Sequence, residues 1–199
     1  MLSWKNLTNL DPKNRLILEK LTKNKYDTHC ENATADYHTF KTIQIEDELL
    51  EGGVERDSYI FGGANFYEGD MQSKLYSESL LKKTDYDNAH PVTQLLNKHF
   101  NKTFGHAVRN IQPPGEVVAP HFDLNGDFSN SYGKDFDPDN LCKAMIFLED
   151  WKLGQMITFG KSSITNWKKH DCCTFNWYIP HATANASTFY RPILAYIGI

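Results

Sequence analysis

Long hydrophobic runs are missing from this chain. No stretch of roughly eighteen consecutive apolar residues occurs, so no helix in it is expected to cross a membrane. Cysteine is scarce: Cys30, Cys142, Cys172 and Cys173 are the four, and none has the CxxC spacing of a structural zinc site. The neighbours Cys172 and Cys173 alternate faces of any strand, and a bridge between adjacent residues is awkward. Free thiols in a reducing cytoplasm are therefore expected. An excess of basic charge is absent too. The 21 Lys and Arg stand against 25 Asp and Glu, for a formal net charge of −4. Nothing in that balance calls for nucleic acid or an anionic membrane as partner. The start, Met1-Leu2-Ser3-Trp4-Lys5-Asn6, has no apolar core of a secretory leader, which again points to the cytoplasm.

The chain does have enough material for one packed domain spanning 1–199. Of its 199 residues 40% are hydrophobic and 13% aromatic, which argues against disorder. Its character changes along the sequence. Residues 1–103 are polar and expected to supply helices and supporting strands. One helix opens with Asp11 as N-cap and Pro12 at the first helical position, with Leu16, Ile17, Leu18 and Leu21 as its stripe. Ser58-Tyr59-Ile60-Phe61-Gly62-Gly63 reads as a short strand closed by a glycine turn. From Pro91 to about Phe100, Val92, Leu95, Leu96, His99 and Phe100 fall on one helical face.

Beyond residue 103 the apolar period drops from 3.6 to 2. Strands are expected at 104–112, 116–122, 142–149, 155–159, 163–168, 172–179 and 189–198. The fold class that follows is mainly β with flanking α-helices, an antiparallel barrel or sandwich. Leu124 to Asn140 is a seventeen-residue polar connection, long enough to serve as a lid. Its alternating Asp135, Asp137 and Asp139 lack the Gly and terminal Glu of a calcium loop and read as solvated acids.

His121 and Asp123 lie one residue apart at the end of an expected strand, so both side chains face the same way. Two imidazoles and one carboxylate on one side of a metal leave the opposite positions open, an arrangement suited to Fe(II) oxygenases. The second imidazole is expected from His181. It ends the run Cys173-Thr174-Phe175-Asn176-Trp177-Tyr178-Ile179-Pro180-His181, in which Cys173, Phe175, Trp177 and Ile179 share its parity. Arg191 follows ten residues later, on a face with Phe189, Ile193, Ala195 and Ile197. A guanidinium on an apolar face is costly unless it meets an anion, and a dicarboxylate reaching in from the metal is such an anion.

His121-x-Asp123, a distal His181 and then Arg191 resemble the 2-oxoglutarate/Fe(II)-dependent dioxygenase superfamily. Val108-Arg109-Asn110-Ile111-Gln112-Pro113-Pro114-Gly115, running into Pro120-His121-Phe122-Asp123, is similar to the first core strands of prolyl-4-hydroxylase-like members. Lys143 to Trp151 followed by Gly154-Gln155 is similar to their third strand and turn. Trp167-Lys168-Lys169-His170-Asp171 resembles the approach to the distal histidine, except that His170 replaces the usual turn glycine. His181-Ala182-Thr183-Ala184-Asn185-Ala186-Ser187 into Arg191 resembles aspartyl/asparaginyl-hydroxylase-like members, including small bacteriophage-encoded ones that act in an infected bacterial cell.

The resemblance covers about residues 104–199 and implies a double-stranded β-helix (jelly-roll, cupin-like) core there. It implies Fe(II) held by His121, Asp123 and His181, with 2-oxoglutarate anchored by Arg191 and O2 as co-substrates and ascorbate as a further candidate cofactor. The reaction it implies is oxidative decarboxylation to succinate coupled to C–H hydroxylation of a peptide side chain or small metabolite. Asn110, Tyr132, Thr158 and Trp177 are further candidates around the co-substrate, and Thr183 is an alternative hydroxyl beside the arginine. A competing expectation is a non-oxygenase cupin-type metal protein, an isomerase or sensor, which has no need of Arg191. His106 reads as a packed strand residue, His99 as a partly buried structural histidine, and Trp151 and Trp167 as core or turn anchors.

Overall fold

The computed structural model describes residues 41–59, 80–121, 140–160, 162–175, 179 and 181–199, with backbone only at 56–59, 80–81 and 119–121. The helix expected near residue 12 and all of the connection 124–140 but its last residue lie outside these residues. Eleven described strands form two sheets. They are β1 (Lys41–Thr42), β2 (Val54–Tyr59), β3 (Leu80–Tyr86), β4 (Gly105–Gln112), β5 (Val117–His121), β6 (Cys142–Phe147), β7 (Gln155–Phe159), β8 (Ser162–Ile164), β9 (Asp171–Phe175), β10 (His181–Asn185) and β11 (Arg191–Gly198). The larger sheet runs β1-β9-β6-β11-β4-β3-β2 and the smaller β5-β10-β7-β8.

From β4 onward the chain passes back and forth between the sheets, and every described pairing is antiparallel. That order, with β4, β11, β6 and β9 facing β5, β10, β7 and β8, is a double-stranded β-helix: a β-rich, cupin-like jelly roll.

The sequence dictates much of this locally. Pro113-Pro114-Gly115-Glu116 folds as a turn in which Gly115 takes φ +83, a value glycine reaches without strain, and the Glu116 N–H donates to the Pro113 carbonyl at 3.4 Å. This turn carries the chain from one sheet to the other. Helix α1 (Pro91–Phe100) has the predicted bounds. His90 caps it, its ring nitrogen accepting from the Val92 N–H, and Pro91 occupies the first position. It buries Val92, Thr93, Leu96 and Asn97, while His99 is exposed rather than partly buried and meets only the edge of Phe100. The helical period alone does not say how wide the buried stripe is.

Strand β6 has to be apolar on both faces. Ala144 and Ile146 pack toward α1 with Tyr86, Leu96 and Leu194. Met145 and Phe147 point between the sheets, among Ile157, Phe159, Trp167 and Ile193. Each large side chain buried this way contributes about 1.5–3 kcal/mol. Trp167 stacks on Phe147 at 4.3 Å between ring centres, and the Trp151 indole N–H donates to the Gln155 carbonyl at 2.7 Å, so both act as anchors.

The turn before β9 keeps a left-handed residue without a glycine. His170 holds φ +74, its N–H donates to the Phe147 carbonyl at 2.7 Å, and its ring bonds the Ile45 carbonyl at 3.1 Å. Those bonds offset the roughly 1 kcal/mol or more that such a conformation costs a residue with a Cβ.

Some strand expectations shift. The strand foreseen at 172–179 is described over Asp171–Phe175, with 176–178 outside the described residues, and that at 163–168 spans only Ser162–Ile164. A separate strand, β10, was not foreseen, and His181 opens it instead of closing the preceding run. The last strand begins at Arg191, leaving Phe189 and Tyr190 exposed outside the sheet. Alanines and a proline around 180–186 mask the strand signal there.

Candidate functional site

β10 lies between β5 and β7, and its register is informative. His181 stands directly opposite His121 on β5 and opposite Phe159 on β7. Two residues on, Thr183 pairs with Val118, so β5 holds one extra residue between the two pairs. Such a bulge resets the side-to-side alternation of β5. Register thus sets Val118 across from Thr183 and His121 across from His181.

The His181 ring is 3% exposed and set among aromatic rings, 5.2 Å from Phe175 and 6.1 Å from Phe159. Its Nδ1 lies 3.3 Å from the Ile179 carbonyl. With the proton held there, the lone pair is on Nε2, as in many metal-bound histidines. Cys173, Phe175, Ile179 and His181 are all buried, as their shared parity predicts. Burial pushes the Cys173 thiol up to about 12, so it is protonated and inert at neutral pH.

Deeper between the sheets lies a polar cluster. Arg191 is directly paired with Gln112 across β11 and β4, and it is 3% exposed. One guanidinium nitrogen, Nη1, donates to the Met156 carbonyl at 3.0 Å, while Nε is buried with no hydrogen-bond partner. Among the described residues no carboxylate forms an ion pair with it. Desolvation alone lowers its pKa, to about 9. Beside it the Thr183 hydroxyl donates to Gln112 Oε1 at 3.3 Å, and Gln112 Nε2 donates to the Glu116 carbonyl at 2.9 Å. Two residues along β4 from Gln112 is Asn110, opposite Ile193, with a buried Oδ1 that also lacks a partner. Met156 is three residues along β7 from Phe159, the partner of His181. The guanidinium and the histidine are therefore separated by about 10 Å of strand, at roughly 3.3 Å per residue.

One further residue holds this region together and carried no sequence signal beyond its place in the His181–Ser187 run. The Asn185 amide, fully buried, donates to the carbonyls of Gln112 (3.0 Å), Pro113 (3.1 Å) and Phe189 (2.8 Å). Its Oδ1 accepts from the Ser187 hydroxyl at 2.6 Å. It ties the end of β4 to the turn leading into Arg191, and so fixes the two strands that carry the cluster.

The structure thus brings His181, Arg191, Thr183 and Asn110 to the space between the sheets, with the backbone of His121 at its rim. Thr158 is not among them. It lies on the opposite face of β7 from Ile157 and Phe159, and its hydroxyl faces the Ala182 carbonyl at 3.5 Å. Asp123, Tyr132 and Trp177 lie outside the described residues, as does the side chain of His121. Among the described residues no group of three metal-ligating side chains forms.

The fold defines a cupin-like jelly-roll protein. No family model matches the chain, and no curated protein matches it. Among solved structures it is similar to KdgF from Halomonas sp., at 7% identity and a TM-score of 0.38 over 59% of this chain and 77% of that one. It is also similar to a cupin domain from Bordetella pertussis Tohama I (12%, TM-score 0.33, 48% and 80%). A sugar phosphate isomerase from a cupin superfamily of Silicibacter pomeroyi gives 10%, a TM-score of 0.40, and 79% and 76% coverage. The class rests on the strand order above; these likenesses add nothing about activity. No described helix is long and apolar enough to cross a membrane.

Proposed function

We propose that this chain is an Fe(II)- and 2-oxoglutarate-dependent dioxygenase, with His121, Asp123 and His181 as the metal ligands and Arg191 as the anchor of the co-substrate. The observation that carries this reading is Arg191. A guanidinium buried between two sheets, with one nitrogen unpartnered and no carboxylate paired with it among the described residues, is a costly feature in a protein that does not bind an anion there. The register pairing of His181 with His121, about 10 Å away along the strands, supports two imidazoles as ligands of such a metal. A five-carbon dicarboxylate chelating the metal at one end spans that interval.

The donor set fits. Neutral imidazoles and a carboxylate suit Fe(II), and the orphaned Arg191 Nε, an N–H donor, fits the far carboxylate of a 2-oxo dicarboxylic acid. When bound, the ferrous ion supplies the chemistry: O2-dependent decarboxylation of 2-oxoglutarate to succinate and carbon dioxide, coupled to hydroxylation of a substrate C–H bond. The protein's own groups do the rest. The Ile179 carbonyl fixes the tautomer of His181. Arg191 pairs with the distal carboxylate, with the Thr183 hydroxyl beside it. Phe159 and Phe175 exclude water around His181, where low polarity strengthens every charge interaction.

A cupin-type isomerase or sensor uses the same histidine pair with zinc or manganese. Arg191 is what separates the two readings. The test is succinate release from 2-oxoglutarate by the full chain with Fe(II) and ascorbate under air, with Arg191→Met as comparison. Turnover that is oxygen-dependent and lost in the variant is expected. No turnover, together with tight zinc binding, overturns the dioxygenase in favour of the second reading.

A further inference from the structure

Side chains that point between two packed sheets are normally buried. On the paired strands β4 and β11 this holds at one end only. Gln112, Arg191 and Ile193 are buried. Val108 with its partner Ala195, and His106 with its partner Ile197, share the same inward face and are partly exposed. Asn110, partly exposed but with Oδ1 buried, marks the boundary. The interior is therefore open along the second half of these strands. That half is also the His181 end: the row through His106 and Ile197 runs on across β6 to Phe175, whose ring lies 5.2 Å from His181. The floor of the opening, made by Val108, Ala195 and Ile197, is aliphatic. Its outer polar group is His106, whose side chain is 35% exposed, more open than the packed strand residue expected from sequence. The ring's Nε2 lies 3.2 Å from the Asp85 carboxylate, an acceptor, so the neutral ring keeps its proton on Nε2. Nδ1 is then a lone-pair acceptor, and nothing among the described residues donates to it.

We propose that this opening is the substrate subsite and that His106 is a specificity-determining residue in it, accepting an N–H from a substrate whose apolar part lies over Val108, Ala195 and Ile197. The substrate class is then an aliphatic amino acid, free or within a peptide, since such a residue carries an N–H donor one carbon away from a small apolar group. His106 and Val108 are two residues apart on β4, about 7 Å, which is the reach of one hydrogen bond plus such a side chain. Asp85 is a positioning residue: by holding the proton on Nε2 it keeps Nδ1 an acceptor. A carbonyl or carboxylate oxygen at that place would set lone pair against lone pair, so the subsite selects donors. What is done to the substrate rests on the dioxygenase reading; how it is recognised does not.

The experiment is calorimetric titration of the full chain, both metal-free and loaded with Mn(II) and 2-oxoglutarate. The probes are L-alanine, L-valine, L-leucine and L-isoleucine, free and as N-acetyl dimethylamides. Each is compared with a form that lacks the donor, N-trimethylated for the free series and N-methylated for the acetylated one. At least one probe is expected to bind about tenfold more tightly than its donor-less form. That preference is expected to vanish in His106→Phe and to persist in His106→Gln, whose side-chain oxygen also accepts. Ala195→Leu, which fills the opening, is expected to weaken the same probe about tenfold or more. Preference within the free series identifies an amino acid, and within the acetylated series a peptide. The comparison on the unaltered protein stands even if a variant fails to fold. Binding by no probe, equal binding of the donor-less forms, a preference that survives His106→Phe, or affinity unchanged by Ala195→Leu overturns the inference. Failure of 2-oxoglutarate to bind the Mn(II)-loaded chain overturns the dioxygenase reading instead, and the metal-free titrations still decide the role of His106.

Discussion

Replacing Arg191 by methionine should stabilise the ligand-free protein. The guanidinium is 3% exposed, and desolvation brings its pKa from the ordinary arginine value down to about 9. At about 1.36 kcal/mol per tenfold, that corresponds to a charging penalty of roughly 5 kcal/mol. The bond from Nη1 to the Met156 carbonyl returns about 1.5–3 kcal/mol, so a net cost of at least roughly 2 kcal/mol remains. Because the folded-state pKa lies below the unfolded one, this cost is fully present below about pH 9 and fades only as pH climbs from there toward the ordinary arginine range. At pH 7, then, Arg191→Met, close in volume and without charge, should raise stability by about 2 kcal/mol, or roughly 4–8 °C in melting midpoint for a chain of this size. The unaltered protein with metal should regain about 2.7 kcal/mol from 2-oxoglutarate at a hundred times its Kd, and the variant should gain nothing. Chemical denaturation and thermal melting, each with and without the dicarboxylate, measure both effects. A variant more than about 1 kcal/mol less stable than the parent, or one still stabilised by 2-oxoglutarate, would refute the view that the arginine is held at a cost for an anion.

Three other outcomes follow from the described residues. Asn185→Ala removes a donor to three carbonyls in a fully buried setting and should cost about 3–5 kcal/mol in urea unfolding; a loss below 1 kcal/mol would mean the two turns are held by other means. His170→Gly relieves a φ of +74 but loses the bond to Ile45, so it should fall within about 1 kcal/mol of the parent, whereas His170→Val should be clearly worse. Cys172 and Cys173 are buried, and desolvation raises both thiols, so iodoacetamide at pH 8 should label neither in the native protein and both after unfolding, as read by mass spectrometry.

Local chemistry made much of the fold legible. Pro91 and the apolar spacing behind it are enough to specify α1, because capping and period act within a few residues. The strand at Gln155–Phe159 and the turn at Pro114-Gly115 are equally local. β10 was illegible because its alanines give no clear contrast between faces, and its identity as a strand comes from ladders with β5 and β7. Thr158 looked as good a candidate as Thr183 because residue type does not say which side of a sheet is inside.

By itself the sequence determined the parts with short memory: the helix, most strands, the turns, and the spacing of His121, Asp123, His181 and Arg191. Tertiary structure alone decided that the chain alternates between two sheets, that a bulge in β5 sets His121 across from His181, and that Arg191 sits in the interior with an unpartnered nitrogen. The reason is physical. Period and propensity are set by neighbours along the chain, whereas register and burial depend on contacts between segments far apart in it, which no local pattern encodes.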